Sequence, residues 1–544
     1  MHSLLVGINA KYIHPAVAIY QLKKNTTYPC DILEFTIKEK TEDIYASIYS
    51  HLSGQKISLI GFSCYLWNIE KILFLICLVK KDFPNVVIMC GGPEVGFDAK
   101  YYLENNPSID YIIYGEGEDA FHELCLYLDK KLPLDQVSNL CYLMDGKYFQ
   151  NELKNPDLSK IQLATLDIHD LTNRVVYLES GRGCPYNCSY CTASLDNKVR
   201  FFPLKNVMSI VDQLMALKVK TVKFLDRTFN ANMKYMIAIL DYIDTHNICT
   251  SFQFEIVAEK FTKEAIDKVA SLQNKFLRFE IGIQSIHDDV NEAVCRHQNM
   301  QLLEKNLLLL NQTNKVDLHV DLIAGLPYET LDRFITSFNR VFYYQAKELQ
   351  LGFLKFLRGT KLMDTIDEHE YIYDPLPPYE IIQNKYMSKD DLEEIHLVEK
   401  MLEIYYNKGK FKHTFHYLLT NRLIENPYMF FLHLNEHFDA KNLMDQYIYI
   451  KDYFQKHFSS NATILTFYLM MDYLESHKTK PKIWWPSFVN KENRKSIYEK
   501  ICKKSTLSLD DLYRYSIIVM NADLQKIYVI LYKNFKPIHL LLDL

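Results

Sequence analysis

The sequence predicts an α/β chain in three parts: an N-terminal doubly wound parallel sheet, a central run of six strand–helix units, and a mainly helical C-terminal region with a small β-hairpin. Three observations predict it. Apolar strand-like runs alternate with amphipathic helical stretches up to about Asp129, the pattern of a parallel sheet covered on both faces. The alternation pauses and then resumes from about residue 174 to 362. Beyond about Pro375 the apolar period becomes helical, apart from two strand-like runs at 513–520 and 526–532.

In the first part the strand candidates are residues 4–9, 31–35, 57–63, 86–90 and 111–114, with helices such as 68–81 and 118–128 between them. The third strand runs into Ser63-Cys-Tyr-Leu-Trp-Asn68, the fourth into Gly91-Gly-Pro-Glu94 and the fifth into Gly115-Glu-Gly-Glu118. Ligands of open parallel sheets bind beyond the carboxyl ends of the strands, so these turns form the candidate ligand edge. Its candidate contacts are Ser63, Tyr65, Trp67, Gly91, Gly92, Pro93, Glu94, Gly115, Glu116 and Gly117. Glycines there let backbone approach a bulky ligand; taken singly, each is also ordinary turn chemistry. His14, in Asn9-Ala-Lys-Tyr-Ile-His-Pro15, reads as a residue leading into a helix rather than as a ligand.

Residues 140–143 and 147–149 flank Met144-Asp145-Gly146, a hairpin signal, and a polar connection runs from 151 to 173. The expected division is therefore 1–135, a hairpin and linker over 136–173, a second α/β region over 174–370, and an accessory region over 371–544.

The second region opens on Glu179-Ser-Gly-Arg-Gly-Cys-Pro-Tyr-Asn-Cys-Ser-Tyr-Cys191, a C-x-x-x-C-x-x-C run following the strand-like 175–178. Three thiolates on one loop suffice for three irons of a cubic cluster that normally takes four cysteines. No fourth cysteine lies nearby, which leaves one iron open, and open positions distinguish catalytic from structural metal sites. The alternatives are a zinc site short of one ligand, or buried free thiols. Zinc motifs usually add a second ligand pair, and none accompanies Cys184, Cys188 and Cys191.

The loop resembles the cluster motif of radical S-adenosylmethionine (SAM) enzymes. The resemblance implies a [4Fe–4S] cluster on the three cysteines, SAM chelating the fourth iron, and Tyr190 beside the adenine. Strands expected at 175–178, 221–225, 252–257, 276–283, 318–323 and 349–354 suit the partial (β/α)6 barrel of that superfamily. Ligand groups should then sit at the carboxyl ends of the strands. Asp226 and Asn230 follow the second strand and resemble the segment that receives the SAM amine, although a Gly-Gly-Glu signature is missing. Glu255 lies in the third strand, and Gln284 and Ser285 end the fourth. Arg296, expected on the next helix, suits the SAM carboxylate. Asp321 and Gly325 close the fifth strand, the glycine letting backbone lie along the adenosine. Each polar residue taken alone reads as a satisfied barrel-rim hydrogen bond; the series together points to a ligand.

The turns ahead of the loop resemble the Rossmann-like cobalamin-binding domain of cobalamin-dependent radical SAM enzymes, with Gly91-Gly-Pro-Glu94 and Gly115-Glu-Gly-Glu118 as the matching pieces. The Asp-x-His-x-x-Gly motif that gives cobalt a histidine in other cobalamin proteins is absent. No histidine is expected below the cobalt, where Tyr65 or Trp67 would lie instead. The tail resembles the uncharacterised C-terminal extension of one subgroup of this family.

The resemblance implies reductive cleavage of SAM to a deoxyadenosyl radical, with methylation of an unactivated carbon through cobalamin. Radical rearrangement, oxidation or sulfur-group transfer on an RNA base or metabolite is the alternative, and a cobalamin- or SAM-binding regulator without turnover is the second. The partners expected are an electron donor such as flavodoxin or ferredoxin, and a substrate that is a small molecule, peptide, lipid or RNA. A monomer in the cytoplasm is expected. The chain has 544 residues, 48% hydrophobic, with net charge −5, so nothing global marks a polyanion binder. The start lacks the marks of a signal peptide, and residues 462–471 are too short for a membrane span. The other cysteines are scattered through mainly apolar runs, as suits reduced core residues. Residues 478–504 are lysine-rich around Trp484-Trp485; a solvated helix face with a tryptophan anchor accounts for them, and single-stranded RNA binding is the rival.

Overall fold

The computed structural model describes all residues except 247–248, 274, 483–488, 490, 505–506, 522, 534–536 and 544. The chain forms two compact units, Met1–Phe334 with Leu351–Lys389, and Ile335–Gln350 with Asp390–Leu544.

The first unit begins with a seven-stranded sheet of β1 (Ser3–Asn9), β2 (Cys30–Thr36), β3 (Leu59–Ser63), β4 (Val87–Gly91), β5 (Tyr111–Ile113), β6 (Leu140–Met144) and β7 (Lys147–Gln150). Its order is β2-β1-β3-β4-β5-β6-β7. Strands β1 to β5 are parallel. Every residue of β1 and β3 is buried, as strands covered on both faces require. Helices Thr41–Gly54 and Ile69–Asp82 bury Ile44, Ile48, Ile72, Leu75 and Val79 against one face. The order reverses at β1 and β3, where doubly wound sheets open a crevice at the strand ends. The hairpin expected at 140–149 is β6–β7. It extends the sheet, because β6 pairs antiparallel with β5.

The second sheet contains β8 (Val176–Leu178), β11 (Thr221–Phe224), β12 (Ser251–Ile256), β13 (Leu277–Gln284), β14 (Val316–Ala324) and β15 (Glu348–Phe353), the last from Leu351 onward belonging to this unit. Between β8 and β11 lies a small antiparallel pair, β9 (Gly181–Arg182) with β10 (Arg200–Phe201). The six strands follow chain order, as successive right-handed crossovers place them. Alternation splits their faces. Phe252, Phe254, Phe279 and Ile281 are fully buried. Lys223, Glu255, Arg278 and Glu280 share the opposite face, where Lys223 Nζ lies 2.7 Å from Glu280. A short pair, β16 (Ile372–Tyr373) and β17 (Ile381–Gln383), closes this part.

The second unit is mainly helical. Helix Ala462–Glu475 is nearly apolar and buried along most of its length. Its Asp472 accepts from the backbone N–H groups of His413 and Thr414, each at 2.9 Å, and so caps helix Lys412–Thr420. The expected hairpin is a three-stranded antiparallel sheet of β18 (Ser516–Asn521), β19 (Lys526–Leu531) and β20 (Ile538–Asp543). Residues 513–515, read as strand from their apolar run, end helix Leu509–Tyr515 instead, because Ser508 accepts from Asp511 N–H at 3.1 Å and starts a helix there. Trp484 and Trp485 lie outside the described residues. Among the described residues, no helix is long and apolar enough to cross a membrane.

Candidate active site

The cysteine loop is held by short-range backbone constraints. After β8, Ser180 donates to Asp226 twice, from N–H at 2.8 Å and from Oγ at 2.6 Å. Asp226 is 4% exposed, and burial pushes its carboxyl up to about 7. Gly183 has φ +87°, and a Cβ there would strike the Lys198 carbonyl, so only glycine fits. Cys184 N–H donates to Asp196 O at 2.9 Å, and Cys191 N–H to Cys188 O at 3.2 Å. Ser189 is held on both sides, its N–H on Val294 O and its carbonyl under Leu362 N–H, each at 2.9 Å. Cys184 and Cys188 are buried and Cys191 is half-buried. Among the described residues, no three Cys, His, Asp or Glu side chains are placed to hold one metal ion. A single zinc needs its sulfurs to converge at about 2.3 Å from one centre; cluster cysteines each reach a separate iron.

The strand-end residues divide by what they touch. Gln284 ends β13 with φ +67°, buried, and its Oε1 has no hydrogen-bond partner. Ser285 donates to Glu329 at 2.6 Å. Asp321 lies 3.0 Å from His319 Nε2. Asn230 pairs with both backbone groups of Val257, at 2.8 and 2.9 Å. Glu255 lies 3.6 Å from Arg227, and burial raises its carboxyl. Arg296 was expected on a helix. Helix Asp288–Ala293 ends before it, Cys295 taking φ +55°, and Arg296 stands in the following loop. From there Nη1 lies 3.9 Å from Cys188 Sγ, Nε donates to Gln298 at 3.0 Å, and Nη2 donates to the Gly282 carbonyl. Burial raises the Tyr190 hydroxyl. Gly325 has φ +90°, but a Cβ there would meet Ile381 at 2.7 Å, so its open side is covered by the chain's own β17.

A cavity of about 450 Å³ opens at the carboxyl edge of the N-terminal sheet. Leu5, Gly61 and Met89 form its floor, and Val17, Ala18 and Leu22 of helix Val17–Lys24 one wall. Ser63, Tyr65, Gly91, Gly92, Pro93, Gly115, Glu116 and Gly117 line its mouth. Glu179, Arg182, Asp196 and Leu225, around the cysteine loop and the end of β11, complete it. Gly92 has φ +112°, and a Cβ there would strike the Cys64 carbonyl. The buried Ser63 Oγ has no hydrogen-bond partner. An apolar trough with a glycine-built mouth and an unsatisfied hydroxyl fits a large ligand with an apolar body and polar rim, as a corrinoid has.

Two expected contacts are absent from the cavity lining. Glu94 is instead 5% exposed and accepts from Tyr102 at 2.7 Å, Tyr379 at 2.5 Å and Arg358 Nε at 3.2 Å. Trp67 lies behind Tyr65, stacked on it at 4.4 Å, and donates to Ile8 O at 3.1 Å. His14 meets the Tyr177 hydroxyl at 2.6 Å.

Charged bridges join the two sheets of this unit. Arg182 Nη1 lies 2.6 Å from Glu116, and Nη2 lies 2.6 Å from Glu118 and 2.8 Å from Glu179. Arg200 pairs with Glu116 and, at 3.0 Å, with Asp196. Arg174 pairs with Glu34 at 2.8 Å. Burial works against the Arg182 charge, yet Glu179, Glu118 and Glu116 hold its pKa well above the usual value. Sequence reasoning missed these arginines as bridges; Arg182 sits inside the cysteine motif, but no periodicity links it to a turn more than sixty residues earlier.

Three family models match the chain: the B12 binding domain over residues 4–125, the radical SAM superfamily over 178–341, and a protein family of unknown function (DUF4080) over 367–530. An uncharacterised methyltransferase of Pyrococcus horikoshii is 25% identical over 300 residues, covering 52% of this chain and 62% of that protein. The cobalamin-dependent radical SAM methyltransferase TokK of Streptomyces tokunonensis is 25% identical over 308 residues, covering 51% of this chain and 43% of TokK. The chain thus spans roughly half the length of these curated relatives. The solved structure of the cobalamin-dependent SAM radical enzyme OxsB, with aqua-cobalamin and SAM bound, shares the fold with a TM-score of 0.62 at 15% identity, covering 87% of this chain and 80% of that one.

Proposed function

We propose, from the premise that this chain belongs to the radical SAM proteins with a B12 binding domain before the barrel and a DUF4080 region after it, that it is a cobalamin-dependent methyltransferase acting on an unactivated carbon. One observation carries the proposal. A single cavity is lined by the glycine turns of the N-terminal sheet on one side and by residues flanking the cysteine loop on the other. When bound, the cluster would supply an electron, one SAM the radical, a second SAM the methyl group, and cobalamin the methyl carrier.

The chain's own residues have distinct tasks in this reading. Cys184, Cys188 and Cys191 hold three irons. Gln284, with its unpartnered Oε1, and Arg296, beside Cys188, face the polar end of SAM. Tyr190 packs its adenine. Gly91, Gly92 and Gly115 would admit the corrin edge, and Ser63 Oγ would be free to hydrogen-bond it. Tyr65, rather than a histidine, lines the mouth against which the corrin would lie. Leu5 and Met89 make the cavity floor apolar, which suits radical chemistry that requires water to be excluded. A low-potential donor such as flavodoxin or ferredoxin, a monomeric state and a cytoplasmic location belong to the proposal.

The test is anaerobic incubation of the loaded protein with methyl-labelled SAM, dithionite and an extract of cells lacking it. Deoxyadenosine together with an extract component heavier by one labelled methyl supports methylation. Deoxyadenosine with a product that carries no label supports rearrangement or oxidation. Absence of deoxyadenosine leaves a binding protein.

A further inference from the structure

We propose that Arg182 is a positioning residue that fixes the separation of the corrin-binding edge from the cysteine loop by clamping Glu116 and Glu118 against the residues leading into Cys184. The inference rests on the reading above that these two edges hold cobalamin and the cluster.

The clamp is buried and multiply anchored. Arg182 is 11% exposed, and its partners Glu116 and Glu118 are 15% and 5% exposed. Three of its nitrogens are engaged, Nε on Glu179 at 3.2 Å in addition to the Nη contacts. Both ends are stiff. On the cluster side, β9 pairs with β10, and Gly183, packed on Lys198, leaves no slack before Cys184. On the other side, Gly115 sits at φ +72° under Leu153, and Asn139 Nδ2 donates to the Glu116 carbonyl at 2.7 Å. A shift of the guanidinium therefore moves the turn relative to the cysteines rather than being absorbed within either.

The charge count gives the clamp its direction. Glu116, Glu118, Glu179 and Asp196 surround the two guanidiniums of Arg182 and Arg200. Without Arg182, Glu116, Glu118 and Glu179 lose the cation they share, Arg200 reaches only Glu116 and Asp196, and carboxylate repulsion drives the turn from the loop. Lysine keeps the charge but lacks the planar fork that engages three carboxylates at once, so R182K does not restore the geometry.

The experiment reads geometry directly. Full-length protein is loaded anaerobically with iron, sulfide and hydroxocobalamin, then poised so that cob(II)alamin and the one-electron-reduced cluster coexist. Magnetic coupling between the two spins, read by EPR, reports their separation. In the R182A and R182K molecules that carry both cofactors, judged by iron, sulfide and corrinoid content, we expect the coupling shifted or spread over a range of separations. E116Q/E118Q, which removes the carboxylate charges without opening a hole, should give the same change and serves if R182A does not fold. Coupling identical to wild type in correctly loaded variants overturns the clamp alone. A wild-type protein that binds neither cluster nor corrinoid overturns the functional reading, and the clamp with it.

Discussion

Arg358, half-buried, meets the buried Glu94, Nε 3.2 Å from the carboxylate, with its guanidinium over the rings of Tyr101, Tyr102 and Tyr379 at 4.7 to 5.3 Å. A glutamate that follows the glycine turn thus ties the N-terminal sheet to the segment after β15 instead of facing a ligand.

Removing the arginine leaves Glu94 buried without its counter-charge. Leaving a buried charge uncompensated in this way costs about 3–5 kcal/mol. R358A should lower the urea midpoint of the first unit and raise amide exchange in residues 93–105, whereas R358K, which keeps the charge, should lose less. An unchanged midpoint in R358A would show that the tyrosines alone hold the carboxylate.

Ser63 carries a hydroxyl buried without a partner. Leaving such a group unsatisfied costs about 1–3 kcal/mol. S63A should therefore make the ligand-free protein slightly more stable while weakening hydroxocobalamin binding several-fold by equilibrium titration. Equal affinity in the variant would mean that the hydroxyl faces no ligand.

Gly92 cannot take a side chain, for its φ is +112° and the Cys64 carbonyl occupies the Cβ position. G92A should displace the turn, reduce corrinoid uptake at least tenfold, and leave iron and sulfide content unchanged. Loss of both cofactors together would point to unfolding instead.

Burial would raise the Glu475 carboxyl, but hydrogen bonds from His413 and Lys412 outweigh it and lower the pKa from 4.5 to about 2. A depressed folded pKa stabilises above the unfolded value and is lost as pH falls through the folded one. The second unit should thus lose about 3 kcal/mol between pH 5 and pH 2, seen as rising amide exchange in helix Ala462–Glu475. E475Q should flatten that dependence.

Most of the strands were legible because local patterns set them. Runs such as Leu4–Ile8 are apolar on both faces, and the β12 and β13 alternation separates Phe254 and Phe279 from Glu255 and Glu280. The cysteine loop was legible from spacing, and the glycine turns from their place after strands. What stayed hidden depends on partners distant in sequence. Glu94 and Glu116 both follow glycines at strand ends, yet Arg358 and Tyr379 draw one into a bridge while the other lines the cavity. Gly325 reads as an open edge until Ile381 returns to cover it. Arg296 was read onto a helix because the positive φ of Cys295 leaves no compositional mark.

Wild type and C188A are compared after anaerobic loading with iron, sulfide and hydroxocobalamin. Wild type should take up four irons and one corrinoid and form deoxyadenosine from SAM. C188A should lose the cluster and SAM cleavage and retain the corrinoid. Deoxyadenosine formed by C188A, or a wild type that takes up iron but no corrinoid, would contradict the proposed function.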